Sequence, residues 1–124
     1  MEKIRSHRDL KVWQKAMDAA MDVFEATKGF PSEEKFSLTD QVRRSSRSVP
    51  AQISEAWRKR RYAAAFVSKL NDAEGEAAET QTHIEIARRC QYLSDAEAAN
   101  LDGIYEAIIS MLATMGNHPE KWYL

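Results

Sequence analysis

Apolar residues recur at helical spacing in four long segments, and no stretch shows the two-residue alternation of a half-buried strand. In the first segment, about Asp9 to Lys28, Leu10, Trp13, Met17, Ala20, Met21 and Phe24 share a face. Asp9 is placed to cap its start, Gly29 to stop it, and Phe30-Pro31 opens a polar loop through Lys35. The second, about Ser37 to Arg58, sets Leu38, Val42, Val49, Ile53 and Trp57 within roughly a 100° arc, the width of a core-facing stripe. Pro50 falls inside that pattern. It lacks an N–H and crowds the preceding turn, so a kink is expected there, with a break into two helices as the alternative. The hydroxyls of Ser45, Ser46 and Ser48 are close enough in sequence to satisfy freed backbone groups.

The third segment, about Ala63 to Gln91, carries a stripe of Phe66, Leu70, Ala73, Ala77 and Ile84. Its small residues allow a neighbouring helix to approach closely. Ile86 and Cys90 fall behind that stripe, where either the fourth helix or another subunit would cover them. The fourth opens on Ser94-Asp95-Ala96-Glu97, a capping-box pattern. It continues through Leu101, Ile104, Ile108, Met111, Leu112 and Met115 to Gly116-Asn117, and Pro119 prevents its return. Four such helices on short loops predict one all-α domain over residues 1–124, an antiparallel up-down-up-down four-helix bundle with a Pro50 kink in its second helix.

Composition narrows this picture. At 124 residues, 44% hydrophobic and 30% charged, the chain is long enough and greasy enough to fold without a staple. Its single cysteine, Cys90, excludes an internal disulfide. No run approaches the length of a membrane span, and Met1 to Arg8 lacks the apolar run of a signal peptide, so the cytoplasm is the expected compartment and no membrane partner is expected.

The net charge of −1 hides a segregation. Residues 41–70 hold eight Lys or Arg against one Asp or Glu, and residues 71–110 hold two against nine. On a straight second helix, Arg43, Arg47, Arg58 and Arg61 fall within about a 60° arc beside the apolar face. Arg58-Lys59-Arg60-Arg61 crowds the following turn, with Trp57 and Tyr62 positioned to stack on bases. Arginine forks suit phosphate oxygens without base preference, so these six cations are the candidate nucleic-acid-binding residues, for RNA or DNA. The competing reading is a set of ion pairs within the bundle, to Glu74, Glu79 and their neighbours. No helix-turn-helix or other named nucleic-acid motif is present.

Residue constellations for catalysis are lacking. Glu76, Glu79 and His83 stand at helical spacings, but they lie off the apolar stripe and no second set exists, so neither a metal nor a cofactor is expected. Cys90 has Arg88 and Arg89 beside it and no histidine in local register, which favours an inert, at least half-buried thiol over a nucleophile. No nucleophile elbow or phosphate-cradling glycine loop occurs. The expectation is a protein that binds and does not catalyse. Trp122 and Tyr123, near the end of the chain, are expected to fold back on the bundle or, with Ile86 and Cys90, to meet a partner or another subunit.

The run Asp9-Leu10-Lys11-Val12-Trp13-Gln14-Lys15-Ala16-Met17, then Phe30-Pro31, Leu38 to Ser45, Ser48 to Glu55, Ile86-Ala87 and Tyr92-Leu93, is similar to the four-helix-bundle proteins encoded in intervening sequences of bacterial 23S ribosomal RNA genes. That resemblance implies a kinked second helix and a ring-shaped homo-oligomer, with a pentamer as the associated form. It implies no settled activity. Distant relatives include the accessory subunit of diversity-generating retroelements, a basic ring that binds a reverse transcriptase and nucleic acid; this chain is, by contrast, slightly acidic. Taken together, these readings lead to an oligomeric adaptor or scaffold presenting a basic surface to nucleic acid or nucleoprotein. The alternative is a pure protein-interaction module.

Overall fold

The computed structural model describes residues 3–122. Four helices make the bundle: α1 (Lys11–Thr27), α2 (Leu38–Arg58), α3 (Ala63–Arg89) and α4 (Asp95–Asn117). Short 3-10 turns at His7–Asp9, Ser32–Glu34 and Pro119–Lys121 complete the described residues, which contain no strand. Each helix packs on the two beside it, so that α1 closes the bundle against α4.

Side-chain pairs set the direction of neighbouring helices. Trp13 near the start of α1 donates its indole N–H to Ser54 near the end of α2 (3.1 Å), and Arg43 near the start of α2 donates to Thr27 at the end of α1 (2.7 Å). Lys69 of α3 meets Glu55 of α2 at 2.8 Å, and Arg88 at the end of α3 meets Asp95 at the start of α4 at 3.3 Å. The start of each helix therefore lies beside the end of the one before it.

The four stripes are not equally as expected. In α3, Phe66, Leu70, Ala73, Ala77 and Ile84 are all buried, joined by Thr80 and Ala87. In α4, Ser94 accepts from Glu97 N while the Glu97 carboxylate accepts from Ser94 N, completing the capping box. Its stripe buries Leu101, Ile108, Leu112 and Met115, with Ile104 and Met111 half-buried and Ala98 and Tyr105 added. The expected face of α1 is corrected in part: Leu10 and Ala20 are buried as expected and Trp13 and Phe24 half-buried, but the two methionines lie outside the core. Val12, Ala16, Ala19, Ala20, Val23 and Thr27 are buried, while Met17 and Met21 are 39% and 54% exposed. The alanines permit close helix approach, which outweighs the larger apolar area of the methionines. Asp9 does not cap α1 either. Leu10 stands at that position, and the Asp9 carboxylate instead accepts from the N–H groups of Arg5 and Ser6 in the 3-10 turn before it.

Helix α2 is assigned as one continuous helix through Pro50. The hydroxyls of Ser45 and Ser46 donate to the carbonyls of Val42 and Arg43, one turn back and away from Pro50, while Ser54 donates to Pro50 O at 3.0 Å. Thr80 of α3 donates to Ser45 Oγ at 2.8 Å, a buried polar tie between the two helices. Among the described residues, no helix is long and apolar enough to cross a membrane.

Tyr105 is fully buried, and its hydroxyl has no hydrogen-bond partner among the described residues. Burial, and then the nearby Asp22 charge, push its ionisation upward. An unpaired buried hydroxyl costs about 1–3 kcal/mol in desolvation. Tyr105→Phe is therefore expected to leave stability unchanged or raise it by about 1 kcal/mol. Urea unfolding reads this directly, and a clear loss of stability would reveal a hydrogen bond to the neighbouring Ser46.

Candidate nucleic-acid interface

Where α2 ends, the chain has little room. Lys59 N–H is shared between the carbonyls of Glu55 and Ala56, and Tyr62 N–H returns to Lys59 O at 2.9 Å before α3 begins at Ala63. Four consecutive cations run from Arg58, the last residue of α2, into this short turn. Trp57, just before them, is 7% exposed and belongs to the core. Arg60 lies on it, with its guanidinium 3.7 Å from the indole centroid and one N–H given to Trp57 O at 2.7 Å. The side chains of Arg58, Lys59 and Arg61 remain exposed.

The exposed three have no Asp or Glu within 4.0 Å among the described residues. Glu55, one turn back, is held by Lys69, whose bond keeps its carboxyl below the usual range, with a smaller contribution from Lys59. The 3-10 turn at His7–Asp9 packs against this part of α2. Burial lowers the basicity of His7, and the positive charges of Arg8 and Arg58 lower it further. Cations at a helix C-terminus also complement the helix dipole, so the fold tolerates this charge density locally.

The six candidate cations do not form one site. Arg43 sits about 22 Å along α2 from Arg58 at the ordinary helical rise. It is occupied by Thr27, and its guanidinium lies 4.8 Å from the Phe24 ring, with Arg47 at 5.9 Å from the same ring. Arg43 and Arg47 thus frame Phe24 at the far end of the bundle, Arg60 covers Trp57, and only Arg58, Lys59 and Arg61 stand together in solvent. Base stacking by Trp57 is ruled out by its burial. Tyr62, 66% exposed, keeps a ring free for it.

The internal ion pairs run elsewhere. Arg44 meets Asp40 at 2.9 Å, and Arg88 and Arg89 both hold Glu85, whose carboxyl they lower to about 2. Neither Glu74 nor Glu79 pairs with the arginines of α2. Glu79 instead lies 3.7 Å from His83 Nε2, and among the described residues no three potential metal-ligating side chains converge.

Ile86 is 42% exposed and Cys90 is exposed, so α4 covers neither; the thiol is not the buried one expected, because α3 ends at Arg89 and the chain turns away there. Trp122 is half-buried against the core, whereas Tyr123 lies outside the described residues. Sequence reasoning missed Lys11 and Lys121, which stand with Arg60 around a groove at this same end. Placing Val12 rather than Trp13 on the buried stripe of α1 would have brought Lys11 to the edge of that groove.

The arrangement is a rigid bundle with a cationic corner. A family model for the 23S rRNA-intervening sequence protein matches residues 8–114. The chain belongs to this family. A solved structure from Bacteroides thetaiotaomicron, described as a protein with unknown function from the S23 ribosomal protein family, is 28% identical to it. The two superpose with a TM-score of 0.76 over 84% of this chain and 96% of the other. No curated protein matches the chain. The match to the intervening-sequence family runs from the turn before α1 into α4, and the fold is common to this chain and the solved structure.

Proposed function

We propose that this intervening-sequence family member is a non-catalytic binding module of the cytoplasm that presents the turn after α2 to nucleic acid from a self-associated bundle. The observation that carries this reading is the trio Arg58, Lys59 and Arg61, adjacent, exposed and without a carboxylate partner among the described residues. Such cations gain by replacing the counterions of a polyanion. Tyr62 beside them supplies an aromatic face for an unpaired base. Self-association is supported by outward apolar side chains, Met17, Met21 and Ile86 on the helices and Phe36 at 88% exposure. Repeating a weak basic corner in one assembly raises avidity without any new contact.

Fluorescence anisotropy with a labelled RNA hairpin and a labelled DNA duplex tests the reading. With three phosphate contacts on duplex, affinity is expected to fall about 40-fold as salt rises from about 50 to 200 mM. Absence of binding at the low-salt end, or binding indifferent to salt, would remove it. Light scattering on the same samples checks assembly. A mass above one chain with no nucleic-acid binding would leave the protein-only module, which the exposed apolar side chains equally favour.

A further inference from the structure

The starts of α1 and the ends of α2 and α4 enclose an open groove of about 1090 Å³. Its floor is apolar, with Leu10, Trp57 and Met115 each at most 7% exposed. Met111 and Trp122 form half-buried walls. The charged groups around it are Lys11, Arg60, Lys121 and Asp9. Asp9 is already engaged, since one of its oxygens accepts from Arg5 N at 2.9 Å and Ser6 N at 3.2 Å. The groove therefore presents three cations against one committed carboxylate.

Arg60 sets the polarity of this surface. It is partly buried, stacked on Trp57 and fixed by a single hydrogen bond to Trp57 O. A guanidinium has five N–H donors, and a desolvated cation ordinarily has an anionic partner. Arg60 has no Asp or Glu within 4.0 Å among the described residues. Its fork is held in place by the indole, so little side-chain freedom is lost when an anion binds.

We propose that this groove binds a small amphipathic carboxylate, an acyl acid whose head group meets Arg60 and whose tail lies along Leu10, Met111, Met115 and Trp122. The planar fork matches a carboxylate edge to edge. Phosphate is the poorer fit, because a strongly hydrated dianion loses more on moving against an apolar floor than a monoanion does. The volume lies slightly above the ordinary range of small-molecule sites, and the open shape suits an extended chain. This assignment does not rest on the nucleic-acid reading, because Arg60 lines the groove and covers Trp57, whereas Arg58, Lys59 and Arg61 do not line it.

Titration of ¹⁵N-labelled protein with decanoate, kept below its own aggregation threshold, tests the proposal, with uncharged decanol as the comparison. Saturable shifts are expected at Lys11, Trp57, Met111 and Trp122. Arg60→Met is expected to weaken decanoate at least about tenfold while decanol changes little. Thr114→Trp, at an exposed lining position, is expected to obstruct part of the groove and weaken both ligands without disturbing the core. The proposal is overturned by the lack of a saturable decanoate response in the unaltered protein, or by shifts mapping away from the groove. Equal weakening of decanoate and decanol by Arg60→Met overturns it too. Should Arg60→Met fail to fold, the Thr114→Trp result alone decides: decanoate affinity unchanged by the added indole refutes the site.

Discussion

Replacing Phe66 with alanine is expected to destabilise the bundle by about 3–5 kcal/mol. Phe66 has no exposed surface and stands at the start of α3, the helix that packs against both α2 and α4. Most other buried positions on that helix are small: Ala73, Ala77, Thr80 and Ala87. Phe66 is therefore the largest side chain that α3 buries, and its truncation leaves a cavity that the rigid backbone of a packed helix closes only in part. A domain of this size is stable by about 5–15 kcal/mol in all, so a single truncation removes a large share. Urea unfolding followed by far-UV circular dichroism measures the effect as a shift in midpoint with an unchanged slope. Met21→Ala is the comparison, expected to stay within about 0.5 kcal/mol because that side chain already faces water. Similar losses at both positions would refute the assigned core.

The second large effect concerns binding. Changing Arg58, Lys59 and Arg61 together to Gln is expected to make the dependence of log affinity on log salt shallower by about 2–3 for duplex DNA. At about 0.1 M salt this corresponds to a loss of about 10²–10³-fold. Glutamine removes the charge and keeps a flexible, hydrogen-bonding side chain, so charge is the main property changed at these exposed positions. None of the three makes an internal ion pair among the described residues, and folding stability is expected to hold. Arg43→Gln gives the opposite pattern. It removes the donor to Thr27 and the contact with Phe24, which affects stability, and leaves the salt slope unchanged. A triple variant that binds as tightly as the parent at every salt concentration would eliminate this corner as the site.

Much of the bundle is readable from periodicity, and the reason differs by helix. The α3 and α4 stripes stand out because the large apolar residues gather on one side, Phe66, Leu70 and Ile84 in α3 and Leu101, Ile108 and Leu112 in α4, and the Ser94–Glu97 box marks a boundary by local hydrogen bonding alone. Helix α1 misleads because it carries two adjacent apolar arcs. One holds large residues, Trp13, Met17, Met21 and Phe24; the other holds Val12, Ala16, Ala19 and Val23. Hydrophobicity ranks the first arc higher, while close approach between helices selects the second, and that selection depends on neighbours that periodicity does not reveal. The cationic turn is equally visible as a run of charges, but the fate of each member is not. Arg60 separates from Arg58 and Arg61 because its guanidinium covers the buried Trp57 ring, a contact that the run of charges does not reveal. Likewise, the arc joining Arg43 to Arg61 is a property of one helix seen in isolation. Packing assigns Arg43 to Phe24 and Thr27.

The placement of the indoles has an optical consequence. The chain has three tryptophans, and all sit at one end: Trp13 beside Ser54, Trp57 beneath Arg60 and Trp122 against the groove wall. The opposite end, where Tyr92 donates to Glu34 and Arg43 to Thr27, contains none. Intrinsic emission from this protein is thus a spatially selective signal, sensitive to occupancy around Arg60 and nearly blind to fraying at the far pole.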